Sequence, residues 1–172
     1  DNISMVLLRI SENAFGIPIQ QLQSRTARPC PIEEEMENIK VRELNHYALL
    51  SYLRSRYIHE EIGRQYCREI HYELRKRHYF AIAFENKTGG YEVRNPYYKG
   101  CIKGKDISII RYNKDIIQNQ VCVFEGFMDF LSYMELNKKG DYHICVDCPT
   151  DFLVMNSVSN LKKSLMELEQ YT

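Results

Sequence analysis

Apolar positions recur along this chain in two rhythms, one suited to helices and one to strands. Over residues 40–56, Val41, Leu44, Ala48 and Tyr52 recur every three or four positions, with Leu49 and Leu53 alongside, which predicts a helix. Arg54 and Arg56 fall at its C-terminal end, where cations are favoured. A second short helix is predicted over residues 59–68. The rhythm then shifts to alternation and apolar runs, so residues 69–74 and 78–84 read as strands. Asn86-Lys87-Thr88-Gly89-Gly90 is a turn, and residues 91–94 return as the second arm of a hairpin. Further on, Val121-Cys122-Val123-Phe124 reads as a short buried strand, and Phe127, Phe130, Leu131 and Met134 follow at helical spacing. Gly140 marks the stop of that helix. A second apolar strand is predicted over residues 152–156, then a helix carrying Leu161, Leu165 and Leu168, with Ser157 or Ser159 as its cap. Free N–H groups at the start of that helix would offer an anion site.

Upstream, an apolar run over residues 3–10 and Phe15-Gly16-Ile17-Pro18 read as a short helix and a turn without evident chemistry. Residues 23–38 are polar, with Pro29, Pro31 and the acidic run Glu33-Glu34-Glu35, and read as a connector. The predicted organisation is an N-terminal segment and linker at 1–39, an α+β subdomain at 40–118, and a strand–helix–strand unit at 119–172.

Composition sets the class. Hydrophobic residues make up 44% and charged residues 27% of 172, the balance of an ordinary globular protein. No stretch approaches the roughly eighteen apolar residues of a membrane span, and no signal-peptide pattern is present. The chain begins at Asp1 without a methionine and reads as part of something longer. The six cysteines, without secretory context, read as reduced thiols in a cytoplasmic protein. Among them, Cys122 lies within the apolar strand and reads as a small buried hydrophobe. His143, Cys145 and Cys148 form a CxxC with a nearby histidine, but no second ligand pair stands at a supporting distance, so zinc is not expected. His59, His71 and His78 share no metal-like spacing.

Net charge is zero, yet residues 54–114 hold fourteen Lys/Arg against seven Asp/Glu, and residues 115–172 hold four against nine. A basic middle leading to an acidic end suits a polyanion track that runs into a cation site; solvated faces would give the same counts. Between Gly89 and Gly100, Arg94 and Lys99 alternate with Tyr91, Tyr97 and Tyr98, and Lys103, Lys105 and Arg111 extend the series. Cations neutralise phosphates and aromatic faces stack on unpaired bases, so the composition suits single-stranded nucleic acid, or equally a tyrosine-rich strand packed on a core. Glu125 follows the Val121 strand at once, with Gly126 to let the backbone turn sharply and Asp129 one helical turn on. In open α/β sheets, ligands sit beyond the carboxyl ends of strands. Two carboxylates so placed can hold Mg²⁺ or Mn²⁺ with water and phosphate. They could also be a surface acid and a first-turn acid favoured by the helix dipole.

The whole string VCVFEGFMDFLS closely resembles the glutamate motif of the Toprim domain in bacterial-type DNA primases. Tyr52 to Ile58 followed by Glu60-Glu61-Ile62 resembles the opening of the primase catalytic core, and the 80–84 strand, the glycine turn, Arg94 and then Lys105-Asp106-Ile107 resemble its later pattern. The resemblance spans about residues 50–172 and is closest to primase-like proteins of mobile genetic elements. It implies an α+β N-terminal subdomain followed by a partial α/β Toprim domain. It also implies template-directed synthesis of primers from nucleoside triphosphates, with Glu125 on the metal and Asp129 in support. Arg94 and Lys105, with Lys99 and Lys103 as further candidates, would contact template or nucleotide phosphate. Implied partners are single-stranded DNA, nucleoside triphosphates, and a helicase or other replication protein. The chain departs from the replicative primases at Lys105-Asp106-Ile107-Ser108, and Ser157-Val158-Ser159-Asn160 replaces a glycine-led turn. A Toprim domain next supplies an Asp-x-Asp pair; none follows Glu125, so the chain is expected to be a fragment, inactive alone. Two other classes remain open, a non-catalytic single-strand-binding module and a topoisomerase- or nuclease-type Toprim enzyme.

Overall fold

A computed structural model describes residues 36–140, 146 and 148–171. The first strand, β1 (Met36–Glu43), leads into α1 (Tyr47–Ser55) and α2 (Glu60–Tyr66). Four strands follow: β2 (Arg68–Leu74), β3 (Arg77–Glu85), β4 (Tyr91–Arg94) and β5 (Lys99–Ile102). After β6 (Ser108–Ile110) come β7 (Val121–Phe124), α3 (Phe127–Lys139) and β8 (Asp151–Val154). A 3₁₀ turn (Val158–Asn160), α4 (Leu161–Leu168) and a second 3₁₀ turn (Glu169–Tyr171) close the described chain.

Strands β1 to β5 form an antiparallel meander in sequence order. The second sheet has the order β6-β8-β7, with β6 antiparallel and β7 parallel to β8. The architecture is therefore mixed α+β, and β7–α3–β8 is a parallel strand–helix–strand unit.

Two expectations for the N-terminal part are corrected. Residues 36–43 are a strand, so the helix expected from residue 40 begins only at Tyr47, and the expected connector at 23–38 is already strand from Met36. The 3–4 spacing of Val41 and Leu44 is fortuitous: Val41 pairs with Ile70 of β2, while Leu44 is buried in the joint between strand and helix. His46 makes the true start, its Nδ1 accepting the Ala48 N–H at 3.2 Å. The β2–β3 hairpin turns on Arg75 and Lys76, both at positive φ (51° and 63°), the geometry of a two-residue primed turn made without glycine.

The strand alternation gives the first sheet two apolar faces. One carries Ile70, Tyr72, Ala81, Ala83, Val93 and Ile102. The other carries Ile82 and Phe84, over which α1, α2 and α3 pack through Leu49, Leu53, Ile62, Phe127, Phe130 and Leu131. Val154 of β8 joins the same cluster, so the two sheets share one core. Gly63 of α2 permits the close approach to α1, because a Cβ there would lie 2.3 Å from Leu53 Cδ1. No helix among the described residues is long and apolar enough to cross a membrane.

Candidate nucleic-acid and metal site

The β7–α3 turn is held from three sides. Phe124 ends the parallel ladder opposite Val154, and Met155 N–H donates to Phe124 O at 2.8 Å. Glu125 follows, exposed at the carboxyl end of the strand, with Gly126 as N-cap of α3. Phe127 stacks on Phe84 of the first sheet, ring centroids 5.3 Å apart and planes 9° from parallel. Phe130 is fully buried against Tyr66, Phe84, Phe124 and Phe152. Asp129 is exposed in the first turn, where the helix dipole favours a carboxylate, and its N–H donates to Gly126 O at 3.1 Å.

Three expectations about this unit change. Gly126 has φ −139° and ψ 158°, extended backbone open to any residue, and a Cβ there meets only Asp129 Oδ2 at 3.5 Å. The turn therefore does not require glycine. Strand β7 is half-buried along its whole length, Cys122 included, because it lies at an edge of its sheet. Ser157 caps the 3₁₀ turn before α4, its Oγ accepting the Ser159 N–H at 3.3 Å, so the expected helix start is displaced.

The basic residues lie on and beyond the first sheet. Arg94 and Lys99 face each other across β4 and β5, and Arg94 Nε donates to the Tyr52 hydroxyl at 3.1 Å. Lys99, Lys103 and Lys105 are exposed. Among the described residues none of these four cations forms an ion pair, and none touches Glu125 or Asp129. The link between the two groups is indirect. Phe84, which carries Phe127, lies opposite Glu92 in the β3–β4 register, and Glu92 shares its strand face with Arg94.

Glu92 is the feature that the sequence pattern did not flag. The residue is only 4% exposed, and its Oε1 has no hydrogen-bond partner. Burial pushes its carboxyl up to about 7, against the pull of the Lys105 and Lys99 charges. A buried acid, two exposed ammonium groups and a guanidinium thus occupy one end of the sheet.

Arg111 does not extend this basic series. Its Nη1 donates to Asp151 Oδ2 at 3.0 Å and to the Tyr171 hydroxyl at 2.6 Å, and its Nη2 lies 3.5 Å from Glu167 Oε1. Asp151 is completely buried at the start of β8 and also accepts the Tyr112 N–H at 2.8 Å. Burial works against its charge, but the bonds from Tyr112, Arg111 and Tyr171 outweigh it and hold the carboxyl below its usual range. This cluster ties the 111–118 loop, β8 and the chain's last turn together.

The histidines do gather in part. His71 Nδ1 and His78 Nε2 are 3.1 Å apart, and His71 Nε2 meets Glu69 Oε1 at 2.9 Å. Even so, no group of three or more His, Cys, Asp or Glu among the described residues could hold a metal ion. Glu125 and Asp129 therefore offer at most two carboxylates, suited to a Mg²⁺ or Mn²⁺ whose remaining ligands are water and substrate phosphate. His143, Cys145 and Asp147 lie outside the described residues, and Cys148 is exposed with its thiol on Gln120 Oε1 at 3.0 Å.

The family described as a domain of unknown function (DUF8464) matches residues 38–103. No curated protein and no solved structure matches the chain. The matched span covers β1 almost from its start and reaches just past the end of β5, so it includes Arg94, Lys99, Lys103 and Glu92 and excludes Lys105, Glu125 and Asp129.

Proposed function

We propose that the chain is part of a DNA primase-like protein of the Toprim class, which condenses nucleoside triphosphates into a primer on single-stranded DNA. The observation that carries the reading is Glu125: an exposed carboxylate at the carboxyl end of a parallel strand, in a strand–helix–strand unit, within the string that resembles the primase glutamate motif. Glu125 would hold Mg²⁺ or Mn²⁺ with Asp129 in support, and the bound ion would supply charge for the transferring phosphoryl group. Arg94, Lys99, Lys103 and Lys105 would neutralise template or nucleotide phosphate, which their lack of ion pairs leaves them able to do. By this reading the chain needs an Asp-x-Asp strand from the rest of the protein, and alone it binds without catalysing.

The test is primer synthesis on single-stranded DNA by the full-length protein, with and without Glu125→Gln. Loss of synthesis with single-strand binding intact supports the assignment. Synthesis at the wild-type rate in the variant would remove Glu125 from the chemistry.

A second reading has its own support. With no third ligand beside Glu125 and Asp129 among the described residues, the fold also suits a single-strand-binding module without catalysis. Such a module would bind the oligomer with a salt-dependent affinity and never incorporate nucleotide. An Asp-x-Asp following this segment in the full-length protein would favour the enzyme.

A further inference from the structure

An open groove lies away from Glu125. It holds about 720 Å³ and runs between α1, the start of β3 and the β4–β5 turn. Tyr47 and Tyr52 come from α1, His78, Tyr79 and Phe80 from β3, and Tyr97 from the turn. No carboxylate lines it.

Three properties define what such a groove can take. Its aromatic rings are presented to solvent, Tyr97 being 96% and Tyr47 75% exposed. Its Tyr97 wall is fixed from below. The Asn95 side chain accepts the Tyr97 and Tyr98 N–H groups at 2.9 Å each and donates to Phe80 O at 3.0 Å. The Tyr97 ring is thus carried on a braced turn, so a ligand that stacks on it orders little backbone. Finally, arginines flank the groove. The Arg54 guanidinium, ion-paired with Glu60, lies 5.5 Å from the Tyr47 ring centroid, and the Arg94 guanidinium is held on the Tyr52 hydroxyl. Lys99 stands opposite Arg94 on β5.

Flat rings spaced along a channel flanked by cations match one ligand chemistry: unpaired bases on a phosphate backbone. The geometry points to this groove as the base-stacking track for single-stranded DNA, with Tyr97 and Tyr47 as the stacking platforms and Arg54 and Arg94 on the flanking phosphates. The inference takes its partner, and Arg94, from the proposed function, but its stacking rings are its own, and neither Glu125 nor Lys105 lines the groove.

Stacking and charge separate cleanly by experiment. Binding is measured for an oligothymidylate and for an abasic oligomer of equal length and charge, across a salt titration. The wild-type chain should prefer the base-bearing strand by roughly ten-fold or more. Tyr97→Ala and Tyr47→Ala should each lose most of that preference with the salt slope unchanged, and Tyr97→Phe should keep it. The Tyr97 side chain is almost wholly exposed, so its truncation leaves the core intact. Lys105→Ala, by contrast, should weaken both oligomers alike and flatten the salt slope; if it does neither, the ridge assignment fails while the groove stands. Equal wild-type affinity for the two oligomers, a preference that survives in both tyrosine-to-alanine variants, or a groove that takes a proline-rich peptide and no oligonucleotide would overturn the inference.

Discussion

Glu92 gives the sharpest handle on this structure, through the pH dependence of stability. Its carboxyl is held at about 7 in the folded chain against an ordinary value of 4.5. Below about pH 4.5 the group is protonated folded and unfolded, and it contributes no pH dependence. Between about 4.5 and 7 the unfolded chain releases a proton that the folded chain keeps, so ionisation favours unfolding and stability falls as the pH rises. Above about 7 both states are ionised and the loss is complete. A displacement of this size corresponds to roughly 3 kcal/mol, a large fraction of a small protein's stability. Glu92→Gln removes the titration. In urea unfolding at several pH values, the variant should gain on wild type steadily from about pH 5 to 7 and hold a constant margin above that. Lys105→Ala should move the wild-type transition to higher pH, because it removes a charge that favours the carboxylate. The same arrangement links Glu92 to binding. Phosphate brought to Lys99 or Lys105 offsets those charges, so binding near pH 7 should take up a proton, visible as a buffer-dependent enthalpy in calorimetry. Parallel stability profiles for wild type and Glu92→Gln from pH 5 to 8 would refute the reasoning, because a solvated or well-bonded carboxylate would behave that way.

Two further substitutions test the frame. Lys76→Gly should stabilise the chain by about 1 kcal/mol in the same urea assay, since it relieves a lysine held at φ 63° in the β2–β3 turn; an unchanged midpoint would mean that the turn carries no strain. Asp151→Ala should cost about 3–5 kcal/mol by stranding Arg111 beside its remaining partners. The Asp151 carboxyl is held low, so wild type keeps this stabilisation above its ordinary value of 3.8 and loses it as the pH falls further; the deficit should therefore be flat from pH 5 to 8.

What could be read in advance follows from how local each signal is. The hairpin of β3 and β4 is written in adjacent residues, an apolar run, Gly89 at φ 78° and a return strand, and it stands where the pattern places it. The strand, the Glu-Gly turn and the helix around Glu125 are equally local, down to Gly140 at φ 73° closing α3. In sequence the β1 stretch reads as linker and then, from residue 40, as helix, because its evidence is distant: Val41 owes its conformation to Ile70, met only after α1 and α2. The aromatic groove is distant in the same way. Tyr47, Tyr52 and Tyr97 have no common spacing, and only the packing of α1 beside β3 and the β4–β5 turn brings them together. Period-two alternation puts Glu92 and Arg94 on one face but is silent on whether water reaches it; Phe84 opposite, with Phe127 stacked on it, belongs to the packed core on that face.

That stack also decides how far the family match can inform the chemistry. The match stops at residue 103, before either carboxylate of the proposed metal site, whereas the cations and Tyr97 fall inside it. Yet the core does not divide there. Ile82 and Phe84 from the matched span are buried in the same cluster as Phe127, Phe130, Leu131 and Val154 from beyond it. Removing either side would expose the apolar surface of the other, so the sheet that presents the groove and the turn that presents Glu125 are built as one packed body. In a nucleotidyltransferase this continuity would have a use, because the nucleotide paired to the template must be held in register with the metal site while its phosphoryl group is transferred. In a binding module it would serve only stability. The two readings therefore diverge on Phe127→Ala: an enzyme should lose synthesis at temperatures where the variant still binds oligothymidylate, whereas a binding module should show only a lowered melting temperature.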